Sequence, residues 1–271
     1  MGLEIKVVPV PGSLEQANAL VGFWEEIFRI SFAEQRDIFQ GREKAENHDV
    51  FWVATDHDRI AATSHVTQSA AIPSLGGLGE IAVHPDYRGH GLAKELCRAA
   101  LAWFEENHGE TIFLATGNDI ARKLYASLGW QAIPNSAVML RTSGPADFFR
   151  DYFREFDGVP EVRPGGAADR IPMIPLILSP HRANPLDANI PLYSVTHAFQ
   201  PSCMGLYPQY ERLQQENEGG WFSLYGGNRL LGLSSWKKNR DGGIDIDGFV
   251  HDGAARWRDY FRDECLRAVQ K

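Results

Sequence analysis

The segment Val83-His-Pro-Asp-Tyr-Arg-Gly-His-Gly-Leu-Ala93 constrains this chain more than any other. Before it, residues 80–84, EIAVH, read as a strand. After it comes an amphipathic helix to about Phe104, with Leu92, Leu96, Ala99, Ala100 and Trp103 on its apolar face. Gly89 and Gly91 carry no Cβ, so a ligand can approach the backbone of the turn closely. The first N–H groups of a helix have no partner within the helix, and its dipole makes that end positive. Strand, glycine turn and helix thus suit a pyrophosphate, with Arg88 adding a fixed positive charge.

Strands and helices alternate on both sides. Residues 3–8, LEIKVV, read as a first strand. Ser13 and Gln16 form a capping box, and Ala17, Leu20, Trp24, Ile27 and Phe28 then recur at helical spacing. Residues 33–48 are polar and predict a loop with about one helical turn. VFWVAT at 50–55 and RIAATSHVT at 59–67 predict two strands joined by an Asp/His-rich turn. AIPSLGGLG at 71–79 reads as a Pro/Gly loop. TIFLAT at 111–116 is a strand apolar enough to be buried on both faces. Asn118 can cap a following helix that buries Ile120, Ala121, Leu124 and Leu128, and Gly129 is placed to end it. Residues 130–133 and 137–141 predict a final hairpin.

The composition then shifts. Residues 144–159 read as a linker helix with aromatic anchors, and the pattern restarts. EVRPGGAADR at 161–170 repeats strand, turn and helix start. WFSLYGGNRLLGLSSW at 221–236 aligns without a gap to FWVATDHDRIAATSHV at 51–66: Arg229 stands 170 residues after Arg59, and Ser234 170 after Ser64. Val250-His251 echo Val83-His84, and Cys265 echoes Cys97. These echoes predict an internal repeat. The second copy lacks the glycine turn, since Val250-His-Asp-Gly-Ala-Ala-Arg-Trp257 places Asp252 where phosphates would approach. PSCMGLYPQY at 201–210, rich in Pro, Tyr and Met, could line a pocket, and loop packing is the preferred reading.

Several classes are excluded or disfavoured. The chain of 271 residues suits one large domain or two ordinary ones. No apolar run approaches the ~20 residues of a membrane span. MGLEIKVVPV lacks the layout of a signal peptide, and Lys6 breaks the myristoylation pattern. A cytoplasmic protein without membrane contact is therefore expected. A net charge of −8 argues against nucleic-acid binding. Cys97, Cys203 and Cys265 are too scattered for a disulfide framework or a metal site; Cys97 and Cys265 fit helical cores.

Arg88-Gly-His-Gly91-Leu-Ala93 resembles the Arg/Gln-x-x-Gly-x-Gly/Ala signature of the GNAT superfamily of acyl-CoA N-acyltransferases. Asn118-Asp-Ile-Ala-Arg-Lys-Leu-Tyr125-Ala-Ser-Leu-Gly129-Trp130 is similar to the family's second motif, with Trp130 replacing the commoner Phe. The resemblance covers about residues 3–142. It implies an α/β (α+β) fold with a mixed, splayed central sheet flanked by helices. The expected organisation is a catalytic domain at 1–143, a linker helix at 144–159, and a truncated, degenerate GNAT-like copy at 160–271 without its own CoA site.

The resemblance also implies acetyl-CoA as cosubstrate and roles for particular residues. Backbone groups near Ala82 and Val83 would hold the pantetheine arm and the acetyl carbonyl. Backbone N–H groups from Arg88 through Gly89, His90, Gly91, Leu92 and Ala93 would hold the pyrophosphate, and Asn118 the cofactor arm. Direct attack by a neutral amine forms a tetrahedral oxyanion, which a preformed N–H donor stabilises. Tyr125 would serve the leaving thiolate as general acid or hydrogen-bond donor. Glu80 is the favoured base, with His65 and His84 as rivals. The expected reaction is N-acetylation of a small-molecule primary amine. The alternatives are acetylation of a protein N-terminus or lysine, or non-catalytic acyl-CoA binding. The roles open to the C-terminal half are covering the first domain, walling the acceptor pocket, or making a homodimer contact.

Overall fold

A computed structural model describes residues 2–270 of the chain. Contacts gather the chain into two compact units. One holds the chain up to Ile112 together with Ile120–Gly129; the other holds Phe113–Asp119 and everything from Trp130 onward. This cut differs from the compositional boundary at residue 143.

The first unit opens with strand β1 (Leu3–Pro9) and helix α1 (Leu14–Phe28). The capping box is present: Ser13 Oγ accepts from the Gln16 N–H, and Gln16 Oε1 accepts from the Ser13 N–H. Short helix α2 (Arg36–Phe39) follows, then strands β2 (Asn47–Asp56), β3 (Arg59–Ser69) and β4 (Leu75–Val83), and helix α3 (Leu92–Glu106). Strands β1 to β4 pair antiparallel in chain order. Ala17, Leu20, Val21, Phe23 and Trp24 of α1 pack with Phe39, Phe51, Val53 and Ala82. Trp24 is fully buried, and its indole N–H donates to Thr63 Oγ1 at 2.8 Å. An aromatic of this size removes roughly 150–250 Å² from water, about 4–6 kcal/mol of transfer free energy.

Three expectations change here. The stretch 71–79 is not all loop, because β4 begins at Leu75 and runs through the glycines. A Cβ built on Gly76 would meet the Phe104 ring at 2.6 Å and Thr67 O at 3.1 Å. The glycine is there for close packing with α3, not for a turn. Phe28, expected on the buried face, is 39% exposed because α1 ends on it and Arg29 turns left-handed at φ 60°. Ile120 is 81% exposed; the buried residue of helix α4 (Asp119–Ala126) is Tyr125.

The second unit includes the end of strand β5 (Thr111–Ala115), the antiparallel pair β6 (Gln131–Ala132) and β7 (Val138–Thr142), and helix α5 (Phe148–Tyr152). The linker helix is thus five residues long, and the buried Phe148 and Phe153 are its anchors. Strand β8 (Glu161–Pro164), helices α6 (Met173–Leu178) and α7 (Tyr207–Gln215), strands β9 (Gly219–Tyr225), β10 (Leu230–Lys238) and β11 (Ile244–Val250), and helix α8 (Arg258–Val269) complete it. Tyr207 and Tyr210 from the 201–210 stretch are buried against Trp221, with ring centroids 6.1 and 5.8 Å away.

The chain is of the α/β class expected, with sheet orders β1-β2-β3-β4-β5-β7-β6 and β11-β10-β9-β8. The ladders of the two hairpins correspond residue by residue. Trp52 faces Ser64, and Phe222 faces Ser234. The β2–β3 ladder shifts between Ala54 and Thr55, with Ala54 facing Ala62 and Thr55 facing Ile60. The second shifts at the same place, with Leu224 facing Gly232 and Tyr225 facing Leu230. The His84 N–H donates to Ala61 O, and the His251 N–H to Leu231 O. Each imidazole then accepts from the backbone two residues on, His84 Nδ1 from Asp86 and His251 Nδ1 from Gly253.

Candidate active site

The ladders of the two halves part on the next strand. Thr63 faces Ala82 and His65 faces Gly79, so Ser64 alone lies opposite Glu80 and Ile81. In the second half, Leu233 faces Phe249, Ser234 faces Gly248 and Ser235 faces Asp247, with no excess residue. Strand β4 therefore carries a bulge, and Glu80 sits in it at φ 47°, a left-handed conformation uncommon for a residue other than glycine. Thr63 Oγ1 donates to the Glu80 carbonyl at 2.6 Å, holding the bulge from the neighbouring strand.

The Glu80 side chain meets His65. His65 Nδ1 lies 2.7 Å from Glu80 Oε2, and Nε2 lies 2.8 Å from Asp49 Oδ1. Thr67 donates to the same Asp49 oxygen at 2.6 Å. Phe51 stacks on the imidazole at 4.1 Å and 16°, and Phe39 stands edge-on at 5.9 Å. Burial opposes charge on His65, but hydrogen bonds and attraction from Asp49 and Glu80 outweigh it and hold the imidazolium above the usual histidine range. Asp49 is not evident from the sequence reading, since it lies one residue before the strand expected at 50–55. Its signal is alternation: Asp49, Phe51 and Val53 share one face of β2, and Phe51 lies opposite His65. The other rival base, His84, is a capping residue. Its Nδ1 accepts from the Asp86 N–H, and Nε2 lies 3.3 Å from Glu26 Oε1.

At the end of β4, backbone polarity separates Ala82 from Val83. The His84 N–H points to β3, and peptide groups alternate along a strand. Those of Val83 therefore point away from β3, whereas those of Ala82 face Thr63. Of this pair, Val83 can offer its N–H to a ligand; its carbonyl accepts from Arg88 Nε at 3.2 Å. Gly89 and Gly91 have φ of 82° and 79°, and a Cβ on either would meet nothing within 4 Å. The glycines thus answer a backbone need, and the space beside them is open. His90 Nδ1 lies 3.2 Å from Tyr87 O. Leu92 and Ala93 form the first turn of α3, with Leu92 buried and Gly91 as N-cap. Glu95 donates back to Gly91 O, so helical hydrogen bonding starts there and the N–H groups ahead of it face the turn. An open turn of positive-φ glycines at a fifteen-residue helix fits the pyrophosphate of acetyl-CoA.

Tyr125, on α4, is buried. Burial first, then the neighbouring Cys97, raises its phenol above the ordinary range, so it stays protonated and able to donate. Burial pushes the Cys97 thiol up to about 12. Asn118 belongs to the second unit, is exposed, and donates its backbone N–H to Thr116 Oγ1. Among the described residues no group of three or more His, Cys, Asp or Glu could hold a metal ion, and no helix is long and apolar enough to cross a membrane. All three cysteines are buried, and none is in a disulfide.

In this α/β chain a glycine-opened helix start follows directly on a bulged strand that carries a carboxylate. Residues 18–130 match the model of the acetyltransferase (GNAT) family. An acetyltransferase of the GNAT family from Staphylococcus aureus Mu50 is similar at 16% identity and TM-score 0.44, over 52% of this chain and all of that one. The ribosomal-protein-S18-alanine N-acetyltransferase from Escherichia coli is similar at 17% identity and TM-score 0.41, over 53% and 96%. A GNAT family acetyltransferase from Brucella melitensis in complex with acetyl-CoA is similar at 17% identity and TM-score 0.39, over 52% and 90%. No curated protein matches the sequence.

Proposed function

We propose that the chain transfers the acetyl group of acetyl-CoA to the primary amine of a small molecule, by direct attack of the amine on the thioester. The observation that carries this reading is the turn of Gly89 and Gly91 opening α3 directly after the bulged strand β4. In this reading backbone N–H groups from Gly89 to Ala93 hold the pyrophosphate, with Arg88 beside them. The Val83 N–H serves the pantetheine arm or the acetyl oxygen, while Ala82 is part of the wall. Glu80 takes the proton from the amine. Its side chain is 21% exposed, so it can meet both substrate and solvent. Tyr125 donates a hydrogen bond to the departing sulfur, and its buried, protonated phenol supports that role.

Residues 160–271 are, in the same proposal, a degenerate second copy without a CoA site. Matching ladder shifts and histidine caps support common descent of the halves. The absent bulge and Asp252 at the start of the following turn support loss of the site. The test is release of CoA thiol from acetyl-CoA by the full chain, with a panel of an amino acid, a polyamine, an amino sugar and an alanyl peptide. Turnover with a small amine, reduced in Glu80→Gln, is expected. Turnover with the peptide alone would move the acceptor to proteins. No turnover with any amine, despite acetyl-CoA binding, would make the chain a binding module.

A further inference from the structure

We propose that Asp49, His65 and Glu80 act as one proton-sharing unit across β2, β3 and β4, in which His65 is a positioning imidazolium and Glu80 the terminus that meets substrate; this rests on reading Glu80 as the base. The first argument is donor count. A carboxylate only accepts, and a neutral imidazole has one N–H. Both ring nitrogens lie within 2.8 Å of a carboxylate oxygen, so with both acids ionised the ring donates twice and carries a charge. The Thr67 hydroxyl also donates to Asp49 Oδ1, as suits an ionised acceptor.

The second argument is confinement. Phe51 from β2 lies flat on the ring, and Phe39 from α2 closes its edge. The charged groups that face it are Asp49 from β2 and Glu80 from β4, with the Thr67 hydroxyl on its own strand. The third argument is the order of exposure. The Asp49 side chain is 1% exposed, His65 3% and Glu80 21%. The chain of hydrogen bonds runs from the interior to one accessible carboxylate. The Glu80 backbone is pinned by Thr63 Oγ1, which itself accepts from the Trp24 indole N–H. Side chain and backbone of Glu80 are thus both fixed before substrate arrives.

The proton balance is simple. Two carboxylates and one imidazolium carry a net charge of −1. One proton leaves the ammonium form of the substrate and adds to Glu80, giving a neutral amine and a neutral unit. The N–H bond of the ammonium breaks, an O–H bond forms, and water takes the proton after product leaves. No redox step occurs. His65 keeps both its protons throughout and holds Glu80 by Oε2.

Ring ¹⁵N NMR of the full chain, labelled at histidine, tests this without any substrate. His65, assigned by loss of its signals in His65→Asn, should show two protonated nitrogens at pH 7. Asp49→Asn should lower its titration midpoint, because one stabilising charge is gone. A neutral ring at pH 7, or a midpoint indifferent to Asp49→Asn, overturns the proposal; the wild-type spectrum alone can do so even if variants fold poorly. With whichever panel amine supports turnover, His65→Asn should lower kcat on the order of ten- to a hundredfold, below the loss of a proton-transfer group itself. Its acid limb should shift, its acetyl-CoA affinity should hold, and combining it with Glu80→Gln should add little. An unchanged pH profile in His65→Asn, with Glu80→Gln impaired, overturns the unit alone. A wild-type rate in Glu80→Gln overturns the reading of Glu80 as base.

Discussion

Replacing Gly91 separates what the cofactor turn needs from its backbone and from its charge. At φ 79° an alanine is strained, at a cost of about 1–2 kcal/mol. That strain weakens the turn, and the added methyl crowds a ligand but meets no protein atom within 4 Å and brings no charge. An aspartate carries the same strain plus a carboxylate beside the cradle. Two unit charges 4 Å apart repel by about 1 kcal/mol in bulk water and about 4 kcal/mol at a surface-like dielectric. Gly91 is exposed, so the lower part of that range applies to each phosphate charge. Against the two charges of a pyrophosphate the added penalty is about 2–4 kcal/mol, a loss of roughly 30- to 1,000-fold beyond Gly91→Ala. Calorimetric titration with acetyl-CoA on the full chain measures both variants, and raising the salt should narrow the gap. Equal affinities for Gly91→Ala and Gly91→Asp in folded protein would refute the placement of the pyrophosphate.

Tyr125→Phe keeps the buried ring and deletes the proton; kcat in the thiol-release assay should fall roughly ten- to a thousandfold, with acetyl-CoA affinity nearly unchanged. Calorimetry should find one acetyl-CoA per chain, and two would contradict the loss of a site in residues 160–271. Gly76→Val forces a side chain into the Phe104 ring and should destabilise by about 1–3 kcal/mol, read as a lower midpoint in a urea melt. Cys97, with its thiol pushed up to about 12, should resist alkylation at pH 8 in the native protein and react once unfolded, since so little thiolate exists at that pH.

Much of this was legible in the residues because it is local. The capping box at Ser13 and Gln16, the turn with two glycines, and the hairpins at 50–67 and 221–236 are written within a few positions each. What was not legible depends on register. Glu80 and His65 stand out in sequence only as rival bases and Asp49 not at all; the three meet because neighbouring strands slide to one alignment and β4 gains a residue. Glycine at 76 reads as a turn residue until Phe104 arrives from a helix 28 positions later. Ile120 looked like core because apolar spacing alone cannot tell which face of a short helix is covered.

The bulge at Glu80 also has a genetic meaning. Pairing on both sides of it continues as it does between β10 and β11, where one glycine stands in place of two residues. A strand that presents a carboxylate beside His65 and one that presents none therefore differ by a single in-frame codon. Mutational scans built from substitutions would pass over this difference. A library of single-residue deletions through 79–82 would reach it directly, and would ask whether a silent fold lies one step from the active one.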